Sequence, residues 1–123
     1  MGRLIITLLF FTSMLASFAD DENQAAINLQ HGGHGNHSGL PAPADEPDVY
    51  YNSSNQSIII NGTGYVSYYD VVIESATSWT VMISTQVSGN YDTIDISSLP
   101  AGMYCITIDS PTGNSYEGFF DTY

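Results

Sequence analysis

The sequence predicts an all-β protein, an antiparallel β-sandwich of about seven short strands with Greek-key connections. Three observations carry this. Apolar residues alternate with polar ones at a period of two through Tyr69-Val71-Ile73, Ile94-Ile96 and Tyr104-Ile106-Ile108, which gives each segment one apolar face. Clusters of Gly, Pro, Asn and Ser interrupt the chain about every ten residues from Pro47 onward. No segment of useful length keeps a helical period.

Residues 1–19 read as a secretory signal peptide rather than as part of the fold. Arg3 supplies the basic start, Leu4 to Phe11 an apolar run too short to span a bilayer, and Ser17-Phe18-Ala19 the small residues of a cleavage site before Asp20. The protein is therefore expected in the periplasm or outside the cell. No cysteine follows the cleavage site, so no lipid anchor is expected. Residues 20–46 read as an acidic leader, one short strand around Ala25–Leu29, and a flexible linker from His31 to Asp45 rich in Gly, His, Pro and Ala. Residues 47–123 read as the sandwich domain.

Within that domain, Asp48–Asn52 is a strand, Ser53–Gln56 a turn, and Ser57–Asn61 a second strand closed by Gly62-Thr63-Gly64. Tyr68–Glu74 follows, then a turn at Ser75–Ser78, then a strand from Trp79 to Gln86 with Trp79, Val81 and Ile83 in phase. Ser88-Gly89-Asn90 turns the chain into Asp92–Ile96. The corner Leu99-Pro100-Ala101-Gly102 leads into Tyr104–Ile108, and Ser110–Asn114 turns into a last strand, Ser115–Asp121. The expected core comprises Ile58, Ile60, Val71, Ile73, Trp79, Val81, Ile83, Ile94, Ile96, Leu99, Tyr104, Ile106, Ile108 and Phe120. Trp79→Ala is accordingly expected to disrupt the core.

The 123 residues carry 13 Asp and Glu against a single Lys or Arg, Arg3, for a net charge of −12. Such a surface repels phosphate backbones and anionic lipid, which excludes nucleic acid as a partner. Arginine clamps for carboxylate or phosphate are excluded because the residues are absent. The lone Cys105 forms no internal disulfide, and with acidic neighbours and no cation nearby it reads as a packed apolar residue rather than a nucleophile.

The Ile27-x-Leu29 element, the Gly-rich linker, the Asp48-Val49-Tyr50 opening strand, the hairpin from Ile94 to Tyr104 and the ending Gly118-x-Phe120 together resemble a family of short exported Bacteroidetes proteins of unknown function with an immunoglobulin-like β-sandwich. The Leu-Pro-Ala-Gly-x-Tyr corner also looks like that of C-terminal sorting domains of type-nine secretion, although the lysine-bearing final strands and large passenger of those proteins are missing. Neither resemblance brings catalytic residues or a cofactor.

Two residue sets are candidates for binding. His31, His34 and His37 recur every three residues on a pliable backbone and are candidate ligands for Zn²⁺, Ni²⁺ or Cu²⁺, against the plainer reading of a soluble linker that happens to hold histidines. Tyr50, Tyr51, Tyr65, Tyr68 and Tyr91 are candidates for stacking on a sugar or anchoring a protein, against core or cross-strand packing. The carboxylates Asp70, Glu74, Asp92 and Asp95 make no credible glycosidase pair without a cleft, and no Ser-His-Asp arrangement is credible because all three histidines lie in the linker. The sequence thus reads as an exported, non-enzymatic interaction module with no catalytic residues and no cofactor. Its expected partner is a protein or cell surface, or a second copy through strand edges. The alternative is a small carbohydrate-binding module using exposed tyrosines.

Overall fold

Alternation along Asp48-Val49-Tyr50-Tyr51-Asn52 turns Val49 and Tyr51 to one side, and the neighbouring segment Ser57–Asn61 matches them with Ile58 and Ile60. In the computed structural model, which describes residues 24–31 and 43–122, these two segments form a hairpin, β3 (Asp48–Asn52) and β4 (Ser57–Asn61), with Tyr51 opposite Ile58 and Val49 opposite Ile60. Asn52 Oδ1 holds the turn between them by accepting from the Ser54 amide at 3.0 Å. β1 (Gln24–Ile27) adds to the outside of β3 and β7 (Tyr91–Asp95) to the outside of β4, giving a four-stranded sheet in the order β1-β3-β4-β7.

The second sheet has five strands in the order β2-β9-β8-β5-β6: β2 (Gln30–His31), β5 (Tyr68–Ser75), β6 (Val81–Ser88), β8 (Gly102–Asp109) and β9 (Ser115–Thr122). Every pairing in both sheets is antiparallel. The chain changes sheet between β1 and β2, β2 and β3, β4 and β5, β6 and β7, and β7 and β8. The inner faces meet in one core, where Ile58, Ile60, Val71, Ile73, Ile106 and Ile108 are wholly buried. Each of these side chains contributes on the order of 2 kcal/mol by leaving water.

The distinctive corner is a tyrosine corner. The chain bends at Pro100, and the Tyr104 hydroxyl donates back to the Pro100 carbonyl at 2.5 Å while its ring stacks on Phe120 at 5.7 Å. One contact thus fixes both the entry into β8 and the packing of its first buried ring.

Seven strands lie from Asp48 onward, as the sequence predicts, but four residues of the expected core need correction. Trp79 is 57 % exposed and Val81 55 % exposed, while Ile83 and Leu99 are only partly buried against the core. The turn after β5 is longer than the sequence suggests. Trp79 belongs to it with φ 57°, donating its amide to the Ser75 carbonyl at 2.7 Å. A register shift between Ile73 and Glu74 then pairs Ile73 with Ile83 but Glu74 with Val81. Val81 therefore shares the outer face with Glu74, and Val87, opposite Tyr69, becomes the buried end of the strand.

The short segment near the amino end belongs to its own sandwich. β1 pairs with β3 along four residues and buries Ile27, and the chain then crosses to lay β2 along β9. Gly118 makes the crossing possible, since a Cβ there would stand 2.7 Å from Ile27 Cγ2 and 2.9 Å from the Asn28 carbonyl oxygen. Residues 1–19, read as a signal peptide, lie outside the described residues.

Candidate functional site

The five candidate tyrosines do not form one site. Tyr51 is a core residue, 6 % exposed with its ring 5.8 Å from Phe120, so no ligand can stack on it. Tyr50 lies on the outer face of the four-stranded sheet, opposite Ile59 on β4. Tyr91 shares that outer face as the partner of Asn61, diagonally across from Ile59, and is 60 % exposed. Tyr65, 66 % exposed, stands in the loop between β4 and β5. That loop is locked to the β6–β7 turn. Gly62 donates to the Asn90 carbonyl at 2.6 Å and Gly64 to the Gly89 carbonyl at 3.1 Å, and a Cβ on Gly62 would fall 1.9 Å from the Gly89 oxygen. Tyr68, half-buried, faces outward on the five-stranded sheet opposite Ser88.

Of the candidate metal ligands, His34 and His37 lie outside the described residues. His31 is not on a free linker: it sits in β2, its ring stacks on Tyr116 at 5.3 Å, and Nε2 lies 3.1 Å from Asn114 Oδ1. Among the described residues no group of three His, Cys, Asp or Glu side chains is arranged to hold a metal ion.

These contacts lead to a group that reading along the sequence passes over. Asp45, placed by the sequence at the end of the linker, is 2 % exposed. Its carboxylate accepts from the Tyr116 hydroxyl at 2.5 Å, from Thr112 Oγ1 at 2.5 Å and from Asn114 Nδ2 at 3.1 Å, and its backbone carbonyl accepts from the Tyr69 hydroxyl at 2.7 Å. Burial alone would raise its pKa. The donors Ser110, Thr112, Tyr116 and Asn114 outweigh burial and hold it well below the usual carboxylate range. The same burial, reinforced by Asp45, pushes the Tyr116 phenol up. A carboxylate saturated with neutral donors and closed to solvent has no lone pair left for chemistry, so this is a latch that joins residues 43–47 to the β8–β9 turn. Cys105 is likewise closed to solvent, and burial, with Glu117 adding to it, pushes its thiol up to about 11, which makes a poor nucleophile.

One surface open to a partner is the β6 side of the five-stranded sheet. β6 has β5 on one flank and no described strand on the other. It is eight residues long, Val-Met-Ile-Ser-Thr-Gln-Val-Ser, with no charged residue and no proline. Proteins commonly protect such edges with charge, proline or a covering loop. Among the described residues the far end is closed, where Asp92 Oδ2 accepts from the Ser88 amide at 2.9 Å. Along the open part Val81 and Met82 are exposed, with Trp79 exposed in the turn just before them. Further across the outer face, Met103 on β8 and Phe119 on β9 are also exposed, and Ala76, in the same turn as Trp79, donates to the Met103 carbonyl at 2.9 Å. Sequence reasoning missed this surface by placing Trp79 and Val81 in the core.

No protein-family model matches the chain, and no curated protein matches it. Among solved structures it is similar to a DUF3244 family protein with an immunoglobulin-like β-sandwich fold from Bacteroides vulgatus, with a TM-score of 0.63 and 14 % identity over 81 % of this chain and 99 % of that one. The chain has an immunoglobulin-like β-sandwich fold. At that identity the likeness speaks for the fold and leaves the ligand to the surface itself.

Proposed function

We propose that this chain is an exported, non-enzymatic interaction module that binds a protein partner through the open edge of β6. The observation that carries the reading is the edge itself: uncharged, free of proline, rich in β-branched residues and bordered by exposed Trp79, Val81 and Met82. An extended segment laid along such an edge completes backbone hydrogen bonds and gains apolar contact, which is the general logic of strand addition. Three of the four candidate acids are engaged locally, which supports no competing catalytic reading: Asp92 caps the Ser88 amide, Asp95 the Ser97 amide, and Asp70 accepts from Gln86. The experiment is site-specific photo-crosslinking in the cells that export the protein, with the reactive group at Thr85 on β6 or at Thr93 on the opposite sheet. A discrete protein adduct from position 85, mapped to residues 81–86 and weak or absent from position 93, is expected. Adducts from 93 alone contradict the reading.

A second reading has its own observation. Tyr50 and Tyr91 share the outer face of the four-stranded sheet with Ile59 between them, which supports a small platform for the apolar face of a neutral sugar. Glycan-array binding that is lost in both Tyr50→Ala and Tyr91→Ala supports it over the edge reading.

A further inference from the structure

Resting on the reading of β6 as the docking edge, we infer the class of partner: an extended segment that alternates apolar residues with Lys or Arg, contributed by another protein.

The register fixes what such a segment would meet. Ile83, Thr85 and Val87 pair with Ile73, Val71 and Tyr69 and so share the core-facing side, whereas Ser84 and Gln86 pair with Val72 and Asp70 on the outer side. An added strand would therefore place alternate residues over Ile83 and Thr85, extending the core, and the others beside Ser84 and Gln86. The outer side carries five carboxylates among its apolar residues. Asp70 and Glu74 on β5, Asp109 on β8, and Glu117 and Asp121 on β9 occupy outward positions, and Asp70 stands directly opposite Asp109. Like charges opposed across strands are unfavourable, and residues 4–123 contain no Lys or Arg to relieve them. An incoming strand would lie two strand spacings, about 10 Å, from β5. Lysine and arginine stems cover much of that distance and bring their charge toward Asp70 and Glu74 while their methylenes lie over Ser84 and Gln86. A second copy of this chain offers no cation past Arg3 and would bring its own acids, so it is a poor occupant of the same edge.

The test uses the whole chain and synthetic eight-residue peptides of alternating valine and lysine, with alternating valine–serine, valine–glutamate and singly N-methylated valine–lysine versions. Trp79, the only tryptophan, sits at the start of the edge and reports by its emission, and hydrogen exchange reports amide by amide. The valine–lysine peptide is expected to slow exchange at Met82–Gln86 and shift Trp79 emission, and to bind roughly tenfold more weakly as NaCl rises from about 50 to about 300 mM. The N-methylated peptide, which keeps the charge but loses ladder hydrogen bonds, is expected to bind at least about tenfold more weakly. The double variant Asp70→Asn, Glu74→Gln should keep its fold and lose a few-fold in affinity for the lysine peptide alone. Equal binding of the serine and lysine peptides overturns the cationic class, and equal binding of the N-methylated peptide overturns strand addition. Edge-driven dimers of the free chain in sedimentation also overturn the inference. If crosslinking from Thr85 succeeds while no peptide protects β6, this inference fails and the proposed function stands. If crosslinking from Thr85 fails, the proposed function fails on its own account.

Discussion

The Asp45 carboxylate accepts a hydrogen bond from the Tyr116 hydroxyl at 2.5 Å across 71 positions of sequence, joining the chain just before β3 to the last strand. Asn114, which also donates to Asp45, takes the contact on to His31 in β2. Three pieces of chain that no periodicity connects are thus held at one end of the sandwich by a single buried anion.

Asp45→Ala should therefore leave the Tyr116 and Thr112 hydroxyls and the Asn114 amide without their acceptor, at a cost of about 2–4 kcal/mol in chemical unfolding. The pH dependence carries a sign. The folded-state pKa of Asp45 lies below its ordinary value of 3.8, so the unfolded chain takes up the proton first. The contribution is complete above that value and is lost as pH falls below it. The wild type should lose stability between about pH 4 and pH 2 more steeply than Asp45→Asn, which no longer titrates there. Parallel curves for the two proteins would show that the latch is not ionised.

Tyr104→Phe keeps the ring against Phe120 and removes only the hydrogen bond to the Pro100 carbonyl. A loss of about 1–2 kcal/mol in the denaturant midpoint analysis is expected, with the fold retained.

Trp79→Ala should lower stability by less than about 1 kcal/mol, because the side chain is mostly in water and leaves no cavity. The opposite expectation follows from the sequence alone. A large loss on thermal or chemical unfolding would return Trp79 to the core.

Asp109→Lys turns an opposed like-charge pair with Asp70 into an opposite one on the outer face of the five-stranded sheet. Stability should rise by about 0.5 kcal/mol at low ionic strength, and the gain should shrink with added NaCl. The wild type itself should become more stable with salt, since residues 4–123 hold carboxylates and no Lys or Arg.

Much of the fold is legible because strand alternation is local. Ile58 and Ile60, or Tyr104, Ile106 and Ile108, declare their inward face without reference to any partner. The tyrosine corner is legible for the same reason, being complete within Pro100–Tyr104. The register shift at Ile73/Glu74 is not, because it is a property of two paired strands, and it reverses the face of Val81 while leaving that of Ile83. The positive φ of Trp79 is equally hidden, since nothing in a bulky aromatic signals a left-handed turn. Asp45 reads as linker because its donors, Thr112, Asn114 and Tyr116, are 67, 69 and 71 positions away. The candidate site is least legible of all. Whether Val81–Ser88 is an edge or a central strand depends on sheet order, which alternation does not encode. The absence of charge in Val81–Ser88 is no local sign of an edge either, since the central strand β4 is equally uncharged.

Native-state hydrogen exchange along β6 tests the central claim most directly, because strand addition requires an edge that is open in the free protein. Between Met82 and Gln86, amides that face away from β5 should exchange orders of magnitude faster than their neighbours that donate to β5, and faster than any amide in the centre of β8. Uniform protection across Met82–Gln86, equal to that of Tyr104–Ile108, would mean that the edge is already covered and would contradict the assignment of β6 as the docking site.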